Sequence, residues 1–230
     1  MTKLVDLLDQ LKYRRTFGYM DDFDYFVAGE RWASSETGTG SMTVGAEPNG
    51  LLMIEPSAGA AAANDAMYLS GTGFVFQFQA NQPIVFEALV QFTEANANQA
   101  NVLVGFSDTS SPTTSLLENN GGPATSYTGM TFFKQGGTNL WGCQTSVGSS
   151  QLTTVTSTPA GGDPQTLTAQ FEPISATQAE ARFFIDGLLV VKQVFSFASA
   201  PVMRPLLGIQ NGSANGEQLN VDYVAAYQLR

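Results

Sequence analysis

The sequence predicts an all-β fold: a two-sheet antiparallel jelly-roll sandwich with a short N-terminal helix ahead of it. Three observations carry that prediction. Short runs of alternating apolar residues recur from Asp21 to the C-terminus, and clusters of Gly, Pro, Asn and Ser separate them. Only one stretch, at the N-terminus, has helical periodicity. The chain has 230 residues, 43% of them apolar, enough for one substantial core, and sandwiches of this size commonly form a single domain.

The helical stretch is TKLVDLLDQLKYRR, residues 2–15. Leu4, Leu7, Leu8 and Leu11 follow the i, i+3, i+4, i+7 spacing of one helix face, and Thr2 or Asp6 falls in the first turn. Lys12, Arg14 and Arg15 gather at the C-terminal end, where the helix dipole favours cations. A helix of about a dozen residues is marginal alone in water. These seven residues are therefore expected to dock, either on the chain's own domain or on a neighbouring subunit or partner. Residues 16–20 read as a linker, which divides the chain into an arm over 1–20 and a sandwich over 21–230.

Strand signals then follow in order. GLLMI (50–54) is an apolar run, and Phe74, Phe76 and Phe78 alternate in GFVFQFQ. Phe86, Ala88, Val90 and Phe92 share one face of their run, with Glu87 and Gln91 on the other. Val102, Val104 and Phe106, then Met130 to Phe133, then residues 166–171 and 181–185 continue the pattern. Asp186-Gly187 between ARFFI and LLVVKQV signals a two-residue type I′ hairpin. Leu219, Val221, Tyr223, Ala225 and Tyr227 alternate through a last long strand. Loops are expected at 56–65, 107–126, 135–139, 157–164 and 210–217, and no fixed-period repeat is visible.

Composition narrows the chemistry. There is no histidine, so histidine-activated nucleophiles are excluded and the commonest general base and metal ligand are missing. Cys143 is the sole cysteine, which excludes an intrachain disulfide and cysteine-cluster zinc sites, and reads as a small buried filler. Charged residues are only 13%, leaving a surface rich in neutral polar side chains. The net charge is −10, and residues 16–230 alone carry −12, which disfavours a phosphate backbone as partner. No apolar run approaches the roughly 20 residues of a membrane helix, nor do the first residues form the apolar region of a secretory signal.

Other groups are candidate sites. Asp21, Asp22 and Asp24 suit a hard cation such as calcium, or simply face solvent and pair with Arg31 or Arg182. Trp32, Trp141, Tyr25, Tyr68 and Tyr127 are either core residues or a platform on which sugar rings stack. Trp141, in the glycine-flanked GGTNLWGCQT, is the candidate glycan contact. Gly38, Gly40, Gly71 and Gly73 lack the following helix and lysine of a phosphate loop and read as turns. No cofactor, metal or catalytic residue is assigned.

The opening DDFDYF and ERW (21–32), GLLMI (50–54), FEALVQF (86–92), VLVGFSD (102–108), ARFFIDGLLV (181–190), PLLGIQNG (205–212) and LNVDYVAAYQLR (219–230) together resemble concanavalin A-like and laminin G-like domains. The likeness spans most of residues 21–230 as a pattern of strands. Glycoside hydrolases of that class carry a strand resembling Glu-x-Asp-x-x-Glu, which is absent here; Glu87, Asp186 and Asp222 each stand alone. Disulfide-free domains of this kind behind a helical arm resemble proteins on tailed-bacteriophage virions. That resemblance implies a non-enzymatic capsid decoration or cement protein, located on the virion after assembly in the host cytoplasm. Its partners would be the major capsid protein or other virion subunits and further copies of itself, a trimer being the expected form. The alternative it implies is a carbohydrate-binding or receptor-binding domain of a phage tail or appendage. An enzyme is the weakest reading.

Overall fold

A computed structural model describes residues 16–45, 50–73, 75–94, 99–109, 117–118, 122–197 and 201–230. The helical arm of residues 2–15, with Leu4, Leu7, Leu8, Leu11, Lys12, Arg14 and Arg15, lies outside the described residues.

Alternating apolar runs bury one face each, and two such faces pressed together make this fold. One sheet, here sheet A, is built from eight strands: β1 (Thr16–Asp21), β3 (Ser41–Val44), β4 (Leu52–Glu55), β6 (Ile84–Glu94), β13 (Gln165–Pro173), β14 (Gln178–Ile185), β15 (Leu188–Ser196) and β17 (Glu217–Leu229). Its order is β15-β14-β13-β6-β17-β4-β3, with β1 also paired to β17. Sheet B has seven: β2 (Trp32–Thr37), β5 (Ala66–Gly71), β7 (Ala100–Ser107), β10 (Gly129–Lys134), β11 (Leu140–Val147), β12 (Ser150–Pro159) and β16 (Arg204–Asn211). Its order is β12-β11-β10-β7-β16-β5-β2. A two-stranded ribbon, β8 (Leu117–Glu118) and β9 (Gly122–Pro123), stands apart. All strand pairings are antiparallel. Among the described residues no helix is long and apolar enough to cross a membrane.

Between the sheets lies a core dense in aromatic rings. Phe86 and Phe106 meet edge-on across the two sheets at 5.2 Å, Phe132 and Phe183 at 5.2 Å, and Phe78 stacks on Phe171 at 4.7 Å. Burying each such ring contributes about 1.5–3 kcal/mol, with a further gain for edge-to-face geometry. The expected hairpin is present: Ile185 pairs with Leu188, and Asp186 and Gly187 have φ of 51° and 77°, both positive as a type I′ turn demands.

Three expectations change. Residues 16–20 are not a linker: they form β1, whose Phe17 and Tyr19 pack toward the core while the strand pairs with the C-terminal end of β17. The sandwich therefore starts at least as early as Thr16. Phe76 and Phe78 are buried as expected, but their segment is no strand; only an isolated bridge joins Phe76 to Met203. Finally, two stretches read as loop contain strand: 107–126 holds β8 and β9, and 157–164 begins with the end of β12.

Candidate functional site

The outward faces of the two sheets differ in what covers them. On sheet B, the rings of Tyr68 and Phe133 lie over Gly208 and Gly142, their cross-strand partners, so closely that a Cβ there would sit 2.5 Å and 2.3 Å from them. Leu117 from the small ribbon, with Tyr127, Leu103, Leu206 and Ala66, closes a second apolar cluster over this face. The Tyr68 hydroxyl accepts a bond from Leu117 N at 3.2 Å. The Tyr127 hydroxyl bonds Thr131 Oγ1 and Gln144 Oε1, both at 2.7 Å. Burial pushes the Tyr68 hydroxyl pKa from 10.0 up to about 12 and raises that of Tyr127 as well. The face is sealed.

Sheet A's outward face is more open. There Glu87 accepts from the Tyr223 hydroxyl at 2.8 Å and from Thr168 Oγ1 at 3.0 Å, so it is bound into the sheet surface. Burial, then the bonded Glu87 carboxylate, raise the Tyr223 pKa.

The most distinctive polar chemistry lies at one end of the sandwich, where β5, β7 and β17 begin and β6, β10 and β16 end. There Lys134 follows Met130 and Phe132 on the inward side of β10 and is fully buried. Its ammonium bonds Glu94 and the Ala100 carbonyl (2.8 Å) and lies 5.8 Å from the centre of the Phe92 ring. Desolvation lowers the Lys134 pKa, and Glu94 and Glu217 oppose that shift. The lysine thus acts as an internal cation between two glutamates. Nearby, Asp65 Oδ2 accepts from Ser57 Oγ (2.6 Å) and Ala62 N (3.0 Å), while Asn211 ties Ser57, Ala62 O and Glu217 N together.

At this end, among the described residues, three amide atoms are buried without a hydrogen-bond partner: Asn64 Oδ1 and, on the outward face of sheet B beside Leu117, Asn101 Nδ2 and Gln210 Oε1. Asn101 and Gln210 face each other in register on β7 and β16. Asn101 Oδ1 takes Gly136 N at 2.7 Å, so only its nitrogen is left over. Native structures rarely leave such atoms unmatched, since each costs about 1–3 kcal/mol. The adjoining loops expose Ala60, Ala63, Thr138, Asn139 and Ala214, all uncharged. Neutral amides that both donate and accept, under neutral small-residue loops, match a neutral hydroxyl-rich ligand better than an ion.

The residues singled out from sequence sit elsewhere. Trp141 is not a glycan contact: it is wholly buried, with its ring against Phe92 and Phe132 and its Nε1 bonded to Gln165 at 2.8 Å. The glycine beside it serves the Phe133 ring, not a loop. Trp32, Tyr68 and Tyr127 are buried too, and Tyr25 alone of that set is exposed, at 60%. Asp21 accepts Trp32 Nε1 (3.0 Å) and Phe23 N (3.1 Å), and Arg31 lies 3.7 Å away. It holds Phe23 at a positive φ of 53°, with the Phe23 ring buried against Trp32. Among the described residues no three acids, cysteines or histidines converge as metal ligands. Asp186 is a turn residue whose carboxylate accepts Thr166 N at 2.9 Å.

Asn64, Asn101, Lys134 and Gln210 were missed as a group. One signal was available: Lys134 falls in phase with the inward residues of MTFFK, and a charge in that position must find a buried partner.

No protein-family model matches the sequence, and no curated protein does. Solved structures do resemble the fold. The carbohydrate recognition domain of Emp47p is 11% identical with a TM-score of 0.60, covering 91% of this chain and 94% of that one. An endo-1,3-beta-glucanase from Streptomyces sioyaensis is 15% identical with a TM-score of 0.62, covering 94% and 97%. A legume lectin-like domain from Entamoeba histolytica is 9% identical with a TM-score of 0.55, covering 85% and 89%. The fold is that of the lectin and glucanase jelly rolls, as the strand pattern implied. None of these structures connects the chain with virion proteins.

Proposed function

We propose that this chain is a non-enzymatic carbohydrate-binding domain that takes a neutral, hydroxyl-rich ligand at the loop end of the sandwich. The observation that carries the reading is the concentration of unmatched buried amide atoms there, at Asn64, Asn101 and Gln210. Sugar hydroxyls donate and accept in the same way and bring no charge into a site whose own cation, Lys134, is already engaged by Glu94. The chain's net charge of −10 steers the preference away from acidic glycans. Structural relatives named for carbohydrate recognition and for β-glucan hydrolysis make the class a reasonable ligand to try first. Hydrolysis needs two carboxylates about 5–9 Å apart across the scissile bond. Glu87 and Asp186 are instead held by the sheet and the turn, and of the two glutamates beside Lys134, Glu94 bonds its ammonium and Glu217 is buried. The virion-decoration expectation rests on the helical arm of residues 2–15, the neutral polar surface and the absence of catalytic groups, and no similar structure supports it.

The test is a calorimetric titration against neutral oligosaccharides, including β-1,3- and β-1,3-1,4-glucan fragments, and against sulfated ones. Binding confined to the neutral set, unchanged by a calcium chelator, is expected. A folded protein that binds none of them overturns the proposal.

A further inference from the structure

The two strands that end the sheets on one side of the sandwich are β12 in sheet B and β15 in sheet A. They carry Leu152, Val155, Leu188, Leu189 and Val194, all exposed and apolar. A groove of about 210 Å³ runs between them, lined by Val147, Leu152, Gln178, Val194 and Phe195 among others. Gln193 pins the two edges together, its amide bonding Thr145 on β11 and Thr154 on β12.

The edges are protected differently. Natural edge strands avoid open pairing with charges, prolines, bulges or short length. The strand β15 carries Lys192, paired to Glu180 at 3.6 Å, and β2 carries the exposed Glu36. The outermost strand β12 reads SQLTTVTSTP and has no charge at all over ten residues. Its irregularity against β11 falls only near the far end, between Leu140 and Gly142, so Ser150 to Val155 pair in unbroken register and present a regular outer edge.

We propose that β12 is the contact through which two copies of this chain associate, strand to antiparallel strand about a twofold axis. Antiparallel pairing of a strand with its own copy is self-complementary, since each donor meets an acceptor by symmetry. Charge separates this edge from β15 and β2, and length separates it from β3, which is uncharged but only four residues long. Each copy carries a net charge of −10, and an uncharged strip lets two such bodies approach without bringing acids together. Pairing there joins the two seven-stranded sheets into one and brings the exposed Leu152 and Val155, on opposite faces of β12, to the junction.

The experiment is sedimentation of the full chain over a concentration series, alongside Val155→Lys, Leu152→Lys and a control, Ser34→Lys, on β2 at the opposite edge of sheet B. Val155 is 60% exposed and Leu152 41%, so the substitutions should leave the fold intact, which circular dichroism and thermal unfolding check. The expected result is a dimer for the wild type and the control, and a single chain for the β12 variants at the same concentrations. A wild type that stays monomeric overturns the proposal, as does a dimer or larger oligomer that tolerates lysine on β12. Glycan binding should survive in the monomeric variants, so this test fails or succeeds independently of the carbohydrate reading.

Discussion

The space between the sheets and the loop end of the sandwich are both buried, yet they are built on opposite terms. Between the sheets, ring meets ring and few polar atoms need partners: Phe86 packs on Phe106 and Phe132 on Phe183 within one apolar core. At the loop end, polar groups were buried in number, a lysine was sealed between glutamates, and three amide atoms were left unmatched. Tight packing is sufficient explanation for the first region. It is no explanation for the second, where apolar side chains would cost less. On the proposed reading, the first region supplies stability and the second the binding site.

The largest expected effect breaks the core. Trp141→Ala should lose about 3–5 kcal/mol of stability, read as a shift in the denaturant midpoint. Trp141→Phe should lose less and leave glycan binding unchanged, because the indole meets Phe92, Phe132 and Gln165 and no solvent. A binding defect in a fully folded Trp141→Phe protein would return this residue to the site.

Next comes the internal cation. Lys134→Met strands Glu94 beside Glu217, and removing one member of a buried pair costs about 3–5 kcal/mol. The lower end is expected, since the Glu94 side chain keeps 16% exposure. Adding Glu94→Gln to Lys134→Met should recover part of the loss in chemical denaturation.

A smaller effect separates the sealed outer face of sheet B from the loop end. The Tyr68 hydroxyl has its pKa raised from 10.0 to about 12, so the folded chain holds that proton more tightly than the unfolded one. Its contribution is complete below pH 10.0 and is lost as pH rises toward about 12. A two-unit shift corresponds to about 2.7 kcal/mol at most. Tyr68→Phe should therefore flatten the alkaline fall in denaturant midpoint across that window. An unchanged pH slope would mean that the ribbon does not seal this face in solution.

How far the sequence disclosed this depends on the environment of each strand. Strands with one face in the core showed themselves by alternation, as in Phe86-Ala88-Val90-Phe92, and the Asp186-Gly187 turn placed its hairpin correctly. The strand β5 is buried on both faces, so its AMYLSG shows no period of two. The edge strand β12 is exposed along most of its length, so SQLTTVTSTP shows no apolar alternation either, and its end from residue 157 reads as loop. Trp141 was misplaced because glycine normally signals a turn, whereas Gly142 is small to admit the Phe133 ring. The candidate site was hidden more deeply. Asn101 meets Gly136 across 35 residues and Asn211 meets Ser57 across 154, and no local pattern encodes such pairings.

The most direct test of the central claim is Gln210→Met, measured for stability and for neutral oligosaccharide binding in the same preparation. Methionine fills a similar volume and removes the unmatched Gln210 Oε1, giving up only a long 3.5 Å contact from Nε2 to Leu117 O. If Gln210 is kept for a ligand, the variant should be as stable as the wild type or more so, by up to about 1–2 kcal/mol, and should lose binding. A variant that binds as well as the wild type, or one that is strongly destabilised, would contradict the account.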